Sequence, residues 1–237
     1  MSLSMKIALI GYGQMGRMVE KVALEHNHEI VARITSQKWD RDALENSDIF
    51  IDFTHPESAL NNIKKIIPLR KPLIIGTTGW YEHLDILQTL VQQHQSAALY
   101  SPNFSIGVQL LYEIIQNASV AMNAFKEYDV AGIEYHHSKK KDSPSGTALE
   151  ISKIIEGSIE RIDKLPFSSV RCGTIPGIHT IFFNSPFDTL TISHEAISRE
   201  GFARGAILAA EWLLDKKGLY TFKDCMQDMM KKRLPCH

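Results

Sequence analysis

The sequence predicts an α/β protein with two domains. Up to about residue 103, short apolar runs rich in β-branched residues alternate with stretches of helical spacing, as in a parallel sheet covered by helices. After that, long amphipathic helices and a strand hairpin predict a smaller α+β domain with a mostly antiparallel sheet. We expect one domain at 1–103, completed by C-terminal helices in 202–237, and a second at 104–201.

Composition and charge narrow the classes of protein. Of 237 residues, 44% are hydrophobic and 22% charged, which is typical of a globular protein, and a net charge of −1 gives no basic field for nucleic acid. Cys172, Cys225 and Cys236 lack a CxxC spacing, so we expect reduced thiols in a cytoplasmic protein. No run predicts a membrane helix or a signal peptide, and we expect "MSLS" to be an expression remnant before a natural start at Met5.

The first strand leads directly into a glycine turn. "KIALI" (6–10) is followed by "GYGQMG" and then by helical spacing, which is the order strand, turn, helix. Gly11 can make the tight turn, Gly13 leaves room for a pyrophosphate, and Gly16 lets helix and strand pack closely. The free N–H groups of the helix start attract phosphates. This stretch predicts a Rossmann-like, dinucleotide-binding domain, with a purely structural turn as the alternative.

The end of the second strand bears on the choice of cofactor. "EIVARIT" (29–35) ends without the carboxylate that usually holds a ribose lacking a 2′-phosphate. Thr35, Ser36 and Lys38 could accept a 2′-phosphate instead, so we expect NADPH to be at least tolerated. A solvated loop lysine is the alternative for Lys38.

Three further strands are predicted in 48–54, 72–79 and 97–107. The first two are separated by a helix that starts near Pro56. Ligands of open α/β sheets bind beyond the carboxyl ends of the strands, so the residues there are candidates for the cofactor wall. These residues are Thr54, Gly76, Thr77, Thr78, Ser101, Asn103 and Phe104. Taken alone, "GTTG" is better explained by a tight turn with a helix cap.

The second half of the chain contains a concentrated basic segment, "HHSKKKDSPSGTA" (136–148). A strand predicted at 128–137 ends in His136 and His137, and Ser145 is a candidate N-cap for the helix that follows. Ammonium groups beside a helix N-terminus form a receptor for carboxylate or phosphate, and a histidine there can move a proton near neutral pH. A solvated basic loop before an ordinary capped helix is the alternative. Two strands joined by a polar turn follow, at 179–186 and 188–196, and then a long helix at 202–217.

These blocks resemble the dihydrodipicolinate reductase family of bacterial and plant lysine biosynthesis. The resemblance rests on "GYGQMGR", "DFT.P", "GTTG", "PNFSIGV", "HHSKKKDSPSGTA" and "SREGFARGA", which occur in the family's order over essentially the whole chain. It implies hydride transfer from NADPH or NADH to a cyclic, unsaturated dicarboxylate. It also implies a homotetramer joined through the sheet of the substrate domain, and it implies no metal ion.

The same resemblance assigns roles to individual residues. His136 is implied as the proton donor, with Lys140 as the alternative, and Lys140 and His137 as substrate contacts. Ser145, Gly146 and Thr147 are implied to cradle a carboxylate. Cofactor contacts are implied for Gly11, Gln14, Met15, Gly16, Phe53, Gly76, Thr78, Ser101, Pro102, Asn103 and Phe104, while Arg199 lies in a matching block without a defined role.

Two other hypotheses remain at this point: another two-domain nicotinamide enzyme acting on a different acid, and a non-catalytic dinucleotide sensor. The histidine pair beside the capped helix favours the reductase, because a sensor needs no proton donor. The remaining histidines lack metal-ligand spacing. We expect surface positions for His26, His28, His55, His83 and His94, and structural roles for His179 and His194.

Overall fold

The computed structural model describes residues 4–35, 39 and 41–233, apart from the side chains of Arg41, Ala43 and Arg233. The chain divides into two compact units. Unit 1 contains the residues up to 106 together with those from 199 onward, and unit 2 contains 107–198. The inner unit is therefore an insertion in the outer one.

Ten strands within the described residues form two sheets, one in each unit. They are β1 (Lys6–Ile10), β2 (Glu29–Ile34), β3 (Ile49–Asp52), β4 (Leu73–Ile75), β5 (Ala97–Tyr100), β6 (Asp129–His136), β7 (Phe167–Arg171), β8 (Ile178–Asn184), β9 (Thr189–Glu195) and β10 (Gly218–Thr221). The described helices are α1 (Gln14–Glu25), α2 (Arg41–Asn46), α3 (Pro56–Ile66), α4 (Leu84–His94), α5 (Ile106–Asn123), α6 (Gly146–Glu156), α7 (Glu200–Leu213) and α8 (Phe222–Arg233), with short 3₁₀ turns at Ile67–Leu69 and Tyr81–His83.

The sheet of unit 1 has six parallel strands in the order β10-β5-β4-β3-β1-β2. Strand order reverses at β1, where β2 pairs on one side and β3 on the other, and such a switch point forms a crevice at the carboxyl ends. Both faces are covered. Ile7 and Leu9 pack with α1, α7 and α8 on one face, while Ala8 and Ile10 pack with α3 and α4 on the other. The predicted Rossmann-like architecture is confirmed.

Unit 2 contains a four-stranded sheet in the order β7-β6-β8-β9. The β6–β8 and β8–β9 pairs are antiparallel and the β6–β7 pair is parallel, so the predicted, mostly antiparallel sheet is confirmed. Helices α5 and α6 cover one face with Leu111, Ile115, Ile151 and Ile155, which pack on Ile181 and neighbouring strand residues. Strand β9 lies at the sheet edge, and most of its residues are exposed.

Several elements were not identified from the sequence: α2, α4, β7 and β10. Strand β10 has only four residues and pairs with β5 from the far end of the chain. No helix among the described residues is both long and apolar enough to cross a bilayer.

The expected surface position of His28 is wrong. His28 is only 3% exposed. It follows the end of α1, and its side chain contacts Glu211 of α7. Its Nδ1 accepts the Met5 N–H at 3.3 Å, and its Nε2 lies 3.1 Å from Glu211 Oε1. Nε2 therefore carries the proton, which leaves no nitrogen lone pair for a metal ion even though His26 and Glu211 lie close by.

Candidate active site

The glycine turn after β1 has the geometry that its sequence predicts. Gly11 has a φ of +86°, and a Cβ there would lie 2.3 Å from the Phe53 carbonyl oxygen. A Cβ at Gly16 would lie 2.2 Å from the Gly11 carbonyl oxygen, so α1 approaches the turn at backbone contact. A Cβ at Gly13, the N-cap of α1, would meet no atom within 4 Å. Two of the glycines thus serve packing, and the third borders open space.

A cavity of about 760 Å³ lies beside this turn at the carboxyl ends of the strands of unit 1. Ten of the predicted cofactor contacts line it: Gly11, Gly13, Gln14, Met15, Thr35, Phe53, Thr54, Gly76, Thr77 and Thr78. Ser36 and Lys38 lie outside the described residues. A side chain at Gly13 would occupy the open space beside the start of α1, a helix of twelve residues. This open space and the free N–H groups of the helix start fit the phosphates of a dinucleotide.

The predicted contacts from Ser101 to Phe104 do not line this cavity. Ser101 Oγ donates to the Asn103 carbonyl at 2.7 Å, and Asn103 Oδ1 accepts the Ser105 N–H at 2.8 Å, so this turn, including Pro102, is held by its own bonds. Phe104 is only 2% exposed and packs on Phe222 with ring centroids 5.1 Å apart. The structure gives Phe104 a core position.

Sequence reasoning missed a buried carboxylate beneath the cavity wall. Asp52 ends β3, and its Oδ1 accepts hydrogen bonds from Thr54 Oγ1 (2.7 Å) and Thr77 Oγ1 (2.9 Å). Its Oδ2 accepts from Asn62 at 2.8 Å. Burial raises the pKa of Asp52 against these bonds. Asp52 thereby fixes Thr54 and Thr77, two residues of the cavity wall.

The cavity is also lined by residues that belong to none of the sequence motifs, including Trp39 and Lys65. Lys65 of α3 lies over the Trp39 ring, with Nζ 4.8 Å from the ring centroid, and both residues line the cavity. Glu57 lines it as well. The cavity that Thr35 lines therefore also has a cation from α3, in addition to the residues that the sequence singled out.

The basic segment of unit 2 forms the end of a strand, a loop and the start of a helix. His136 is the last residue of β6, and Ser145 caps α6, where its Oγ accepts the Ala148 N–H at 3.2 Å. Gly146 and Thr147 are the first two residues of α6. The predicted strand end and capped helix are thus present at the residues that the sequence indicated.

Lys140 and His137 belong to the loop between these elements. The Lys140 Nζ donates to Asp142 Oδ2 at 2.9 Å, and the Lys140 N–H donates to the His137 carbonyl at 3.1 Å. The hydrogen bond from Lys140 holds the pKa of Asp142 below its usual value. The ammonium group is therefore held at the loop rather than free in solvent.

A second residue missed by sequence reasoning, Glu134, connects these parts. It lies two residues before His136 on the same face of β6 and is 0% exposed. Its carboxylate accepts hydrogen bonds from the Ser145 N–H (3.0 Å), Ser169 Oγ (2.7 Å) and Arg171 Nη2 (2.9 Å). The sheet thus ties the cap of α6 to the strand that carries His136.

His179 lies next to this carboxylate. It is directly opposite Glu134 in the β6–β8 ladder, and its Nε2 is 3.0 Å from Ser145 Oγ and 3.4 Å from Glu134 Oε2. The rings of His136 and His179 are 5.1 Å apart between centroids. Its Nδ1 is buried without a hydrogen-bond partner among the described residues. The expected structural role of His179 stays a prediction, and the structure adds that His179 adjoins the histidine predicted to act chemically.

Thr147 is held from a neighbouring helix. Tyr112 of α5 forms a side-chain hydrogen bond with Thr147, and burial raises the pKa of Tyr112 to about 12. Tyr112 therefore stays a neutral phenol at ordinary pH.

Arg199, at the N-cap of α7, donates to the Gln14 side chain of the glycine turn, inside unit 1.

Comparisons with known proteins identify the family. Residues 5–104 match the family model "Dihydrodipicolinate reductase, N-terminus", and residues 107–226 match "Dihydrodipicolinate reductase, C-terminus". The chain belongs to the dihydrodipicolinate reductase family. It is 35% identical over 238 residues to the 4-hydroxy-tetrahydrodipicolinate reductase of Christiangramia forsetii, covering 96% of this chain and 100% of the relative. The same figure, 35%, holds over 235 residues for that of Bdellovibrio bacteriovorus, covering 96% and 98%.

A solved structure shares the fold of this dihydrodipicolinate reductase family member. The dipicolinate-bound dihydrodipicolinate reductase of Paenisporosarcina sp. TG-14 matches with a TM-score of 0.80 at 22% identity, covering 94% of this chain and 99% of that one. The C. glutamicum DAP dehydrogenase in complex with DAP matches with a TM-score of 0.55 at 14% identity, covering 99% of this chain and 100% of that one. The two-unit architecture therefore extends beyond the dihydrodipicolinate reductase family.

The buried cluster in unit 2 combines a carboxylate with two histidines whose pKa values are lowered. Burial favours protonation of Glu134, but the hydrogen bonds from Ser145, Ser169 and Arg171 prevail and lower its pKa to about 2. Burial lowers the pKa of His136, and burial together with the neighbouring His136 lowers that of His179 to about 4. Glu134, His136 and His179 could surround a cation by distance alone, but Arg171 already occupies the carboxylate with a positive charge.

This cluster makes stability depend on pH. The folded state takes up protons at Glu134 and His179 only near pH 2 and pH 4, whereas the unfolded chain takes them up near 4.5 and 6.5. The unfolded state therefore binds more protons in between, and the free energy of unfolding should fall as pH drops from about 6.5 toward 2. Urea unfolding at pH 7, 5.5 and 4 measures this fall. In His179→Gln the part of the fall between pH 6.5 and 4 should shrink, and an unchanged fall in that variant would contradict the assignment to His179.

Proposed function

We propose that this chain reduces 4-hydroxy-tetrahydrodipicolinate to tetrahydrodipicolinate with NADPH or NADH, in the diaminopimelate branch of lysine biosynthesis. The reaction adds one hydride and one proton and releases the 4-hydroxyl group as water. The observation that carries the proposal is the arrangement in unit 2, where a buried carboxylate joins His136 to the capped start of α6. Membership in the family and the names of its relatives support the same reaction.

Substrate binding is assigned to unit 2, since the substrate carries two carboxylates. We assign one carboxylate to the N–H groups and hydroxyls at Ser145, Gly146 and Thr147, where the N-terminal end of the α6 dipole attracts anions. Lys140 and His137 are assigned to the second anionic group. The hydrogen bond of Thr147 to Tyr112 supports this assignment, because it holds a helix-start hydroxyl in place.

Cofactor binding is assigned to unit 1. A bound nicotinamide dinucleotide supplies the hydride. The cavity beside Gly13 and the start of α1 supports this assignment, and Gln14, Met15 and Thr78 line it. Lys65, a cation that lines the same cavity as Thr35, supports acceptance of NADPH, which carries one more phosphate than NADH.

His136 is assigned as the proton donor. It is buried beside Glu134, whereas the alternative donor Lys140 is already bonded to Asp142. The hydrogen bond to Asp142 holds the Lys140 side chain in place, which supports anchoring rather than proton transfer for Lys140.

We also propose a homotetramer joined through the sheet of unit 2, and a cytoplasmic location. Strand β9 supports the first proposal, because it lies at the sheet edge and Leu190 is 43% exposed there. The free thiols of Cys172 and Cys225 support the second. Sedimentation velocity tests the oligomer, and a monomer at working concentration would overturn it.

The direct test is turnover. The protein is mixed with NADPH or NADH and freshly prepared substrate, and the loss of nicotinamide absorbance is followed together with formation of tetrahydrodipicolinate. Cofactor oxidation that requires the substrate supports the reductase. Tight cofactor binding without turnover would support a dinucleotide sensor, and turnover with an amino acid instead would support a different dehydrogenase.

Replacing Lys140 with alanine should raise the KM for the substrate by about 10- to 100-fold, because a charge-assisted hydrogen bond of about 1.5–3 kcal/mol is lost. Lys139→Ala is the matched control, since Lys139 is an exposed lysine of the same loop. Steady-state kinetics with varied substrate measures both variants. Equal KM changes in the two variants would show that only the general charge of the loop matters.

A further inference from the structure

We propose that Glu134 is a positioning residue for proton transfer: its carboxylate orients His136 so that Nε2 is the atom that delivers the proton. This inference rests on the proposed reductase function. It concerns a residue that the motif search did not single out, and it follows from four contacts around one buried carboxylate.

The first step is that Glu134 is immobile. Its Oε1 accepts hydrogen bonds from Ser169 Oγ, Arg171 Nη2 and the Ser145 N–H, at distances of 2.7, 2.9 and 3.0 Å. Arg171 is itself anchored, because its Nη2 also donates to the Asp142 carbonyl at 2.7 Å. A carboxylate with this many fixed donors on one oxygen presents its other oxygen, Oε2, in a defined direction.

The second step concerns the other oxygen, Oε2, which lies 3.2 Å from the Ser145 nitrogen and 3.4 Å from His179 Nε2. Oε2 also faces the Nδ1 of His136. The two atoms are 3.6 Å apart, which is longer than a hydrogen bond, so the carboxylate acts on Nδ1 through its negative charge. His136 Nδ1 is buried and has no hydrogen-bond partner among the residues described. Because a carboxylate can only accept, the charge favours the proton on Nδ1.

The third step is that Nε2 of His136 lies beside Gly177, where any side chain would crowd the ring. A Cβ at Gly177 would lie 3.1 Å from His136 Nε2, and Gly177 has a φ of +155°, which disfavours any other residue. Because residue 177 is a glycine, no side chain from this residue lies beside Nε2.

The fourth step concerns the charges around His136. Burial lowers its pKa, Glu134 and Asp142 favour the protonated ring, and Lys140 and Arg171 oppose it. His179, on the adjacent strand, is the remaining titratable neighbour. Glu134 is the carboxylate with an oxygen closest to the ring, so its charge is the main support for the imidazolium.

The proton balance follows from these contacts. The imidazolium of His136 carries protons on Nδ1 and Nε2. As the hydride-reduced ring of the substrate gains a bond to hydrogen, the Nε2–H bond breaks, and its electron pair stays on Nε2. His136 is left as the neutral Nδ1–H form beside Glu134, and water returns one proton to Nε2 before the next turnover.

Glu134→Gln is the test, since glutamine keeps the shape and removes the charge. We expect kcat to fall by at least about tenfold. Activity that depends on a protonated histidine declines as pH rises through its pKa, so this decline should move to lower pH in Glu134→Gln. The dissociation constant for NADPH should not change. Glu134→Asp, which restores the charge, should return the decline toward the wild-type pH.

A second measurement does not depend on turnover. Proton–nitrogen NMR of the histidine rings reports which nitrogen of His136 is protonated and at what pH the ring titrates. We expect the Nδ1–H form in the wild type and a lower titration point in Glu134→Gln. If Glu134→Gln does not fold, Ser169→Ala serves instead, because it loosens the carboxylate while keeping its charge, and it should increase the Nε2–H fraction.

The outcomes separate the two proposals. A wild-type protein that shows the expected His136 form without turning over the substrate would overturn the proposed function and leave the orientation of His136 standing. A Glu134→Gln protein with wild-type kcat and pH profile would overturn the positioning role. A lower melting temperature with an unchanged pH profile and unchanged NMR titration would also overturn it, because Glu134 would then be purely structural.

Discussion

Replacing His136 with glutamine should lower kcat by about 10²- to 10⁴-fold, the range by which a positioned general acid accelerates a reaction. Glutamine fills a similar space beside Glu134 but cannot release a proton near neutral pH. The glycine turn and its cavity lie in unit 1, so the dissociation constant for NADPH should stay near the wild-type value. Single-turnover absorbance and cofactor fluorescence measure the two quantities separately.

A matched variant, His94→Gln, replaces a partly exposed histidine at the end of α4 and should leave kcat unchanged. Wild-type kcat in His136→Gln would transfer the proton-donor role to another group, with Lys140 as the next candidate. Loss of NADPH affinity in His136→Gln would contradict the assignment of cofactor and substrate to different units.

The second large effect is expected at the glycine turn. Gly11→Ala should lower the free energy of unfolding by at least about 2 kcal/mol, because the new Cβ meets the Phe53 carbonyl at 2.3 Å and the φ of +86° is strained for alanine. Gly13→Val should cost less stability than Gly11→Ala, since nothing lies within 4 Å of its Cβ, but should weaken NADPH binding by about tenfold or more. Urea unfolding and fluorescence titration measure these changes.

Gly201→Ala on α7 is the control for both, because its Cβ also meets no atom within 4 Å and it does not line the cavity. Unchanged NADPH affinity in Gly13→Val would mean that the cofactor does not approach the backbone there. Undiminished stability in Gly11→Ala would mean that the turn can relax at little cost.

The fold could be predicted wherever the signal is local. The run at 6–10, the turn beginning at Gly11 and the helix start at Pro56 each depend on neighbours in sequence, and the structure has them at those residues. Strand β10 could not be predicted in the same way, because four half-buried residues have no distinctive pattern and pair with β5, far away in the chain. His28 was misassigned for the same reason, since its partner Glu211 is remote in sequence.

The candidate site, like the fold, could be predicted from the sequence only where its features are local. His136 and the cap at Ser145 are readable from one segment, because a strand end and an N-cap are local features. Glu134 became visible only with the ladder that places it opposite His179 and beside Arg171. Strand registers depend on packing across the whole sheet, which no single segment specifies.

Some of the predicted cofactor contacts stay predictions. Ser36 and Lys38 lie outside the described residues, and the turn from Ser101 to Phe104 does not border the cavity. Lys65 and Trp39 do border it, although no motif marked them. A cavity wall built from separate helices and loops is a product of the tertiary fold and has no signature in any one stretch.

The insertion of unit 2 into unit 1 has a consequence for biosynthesis in the cell. Helix α7 covers α1, and β10 extends the sheet at β5, yet both are encoded after residue 198. The ribosome therefore synthesises all of unit 2 before it synthesises α7 and β10, which complete unit 1. Until then the nascent outer unit leaves the apolar side of α1 uncovered, and this is the stage at which the emerging chain most needs chaperones.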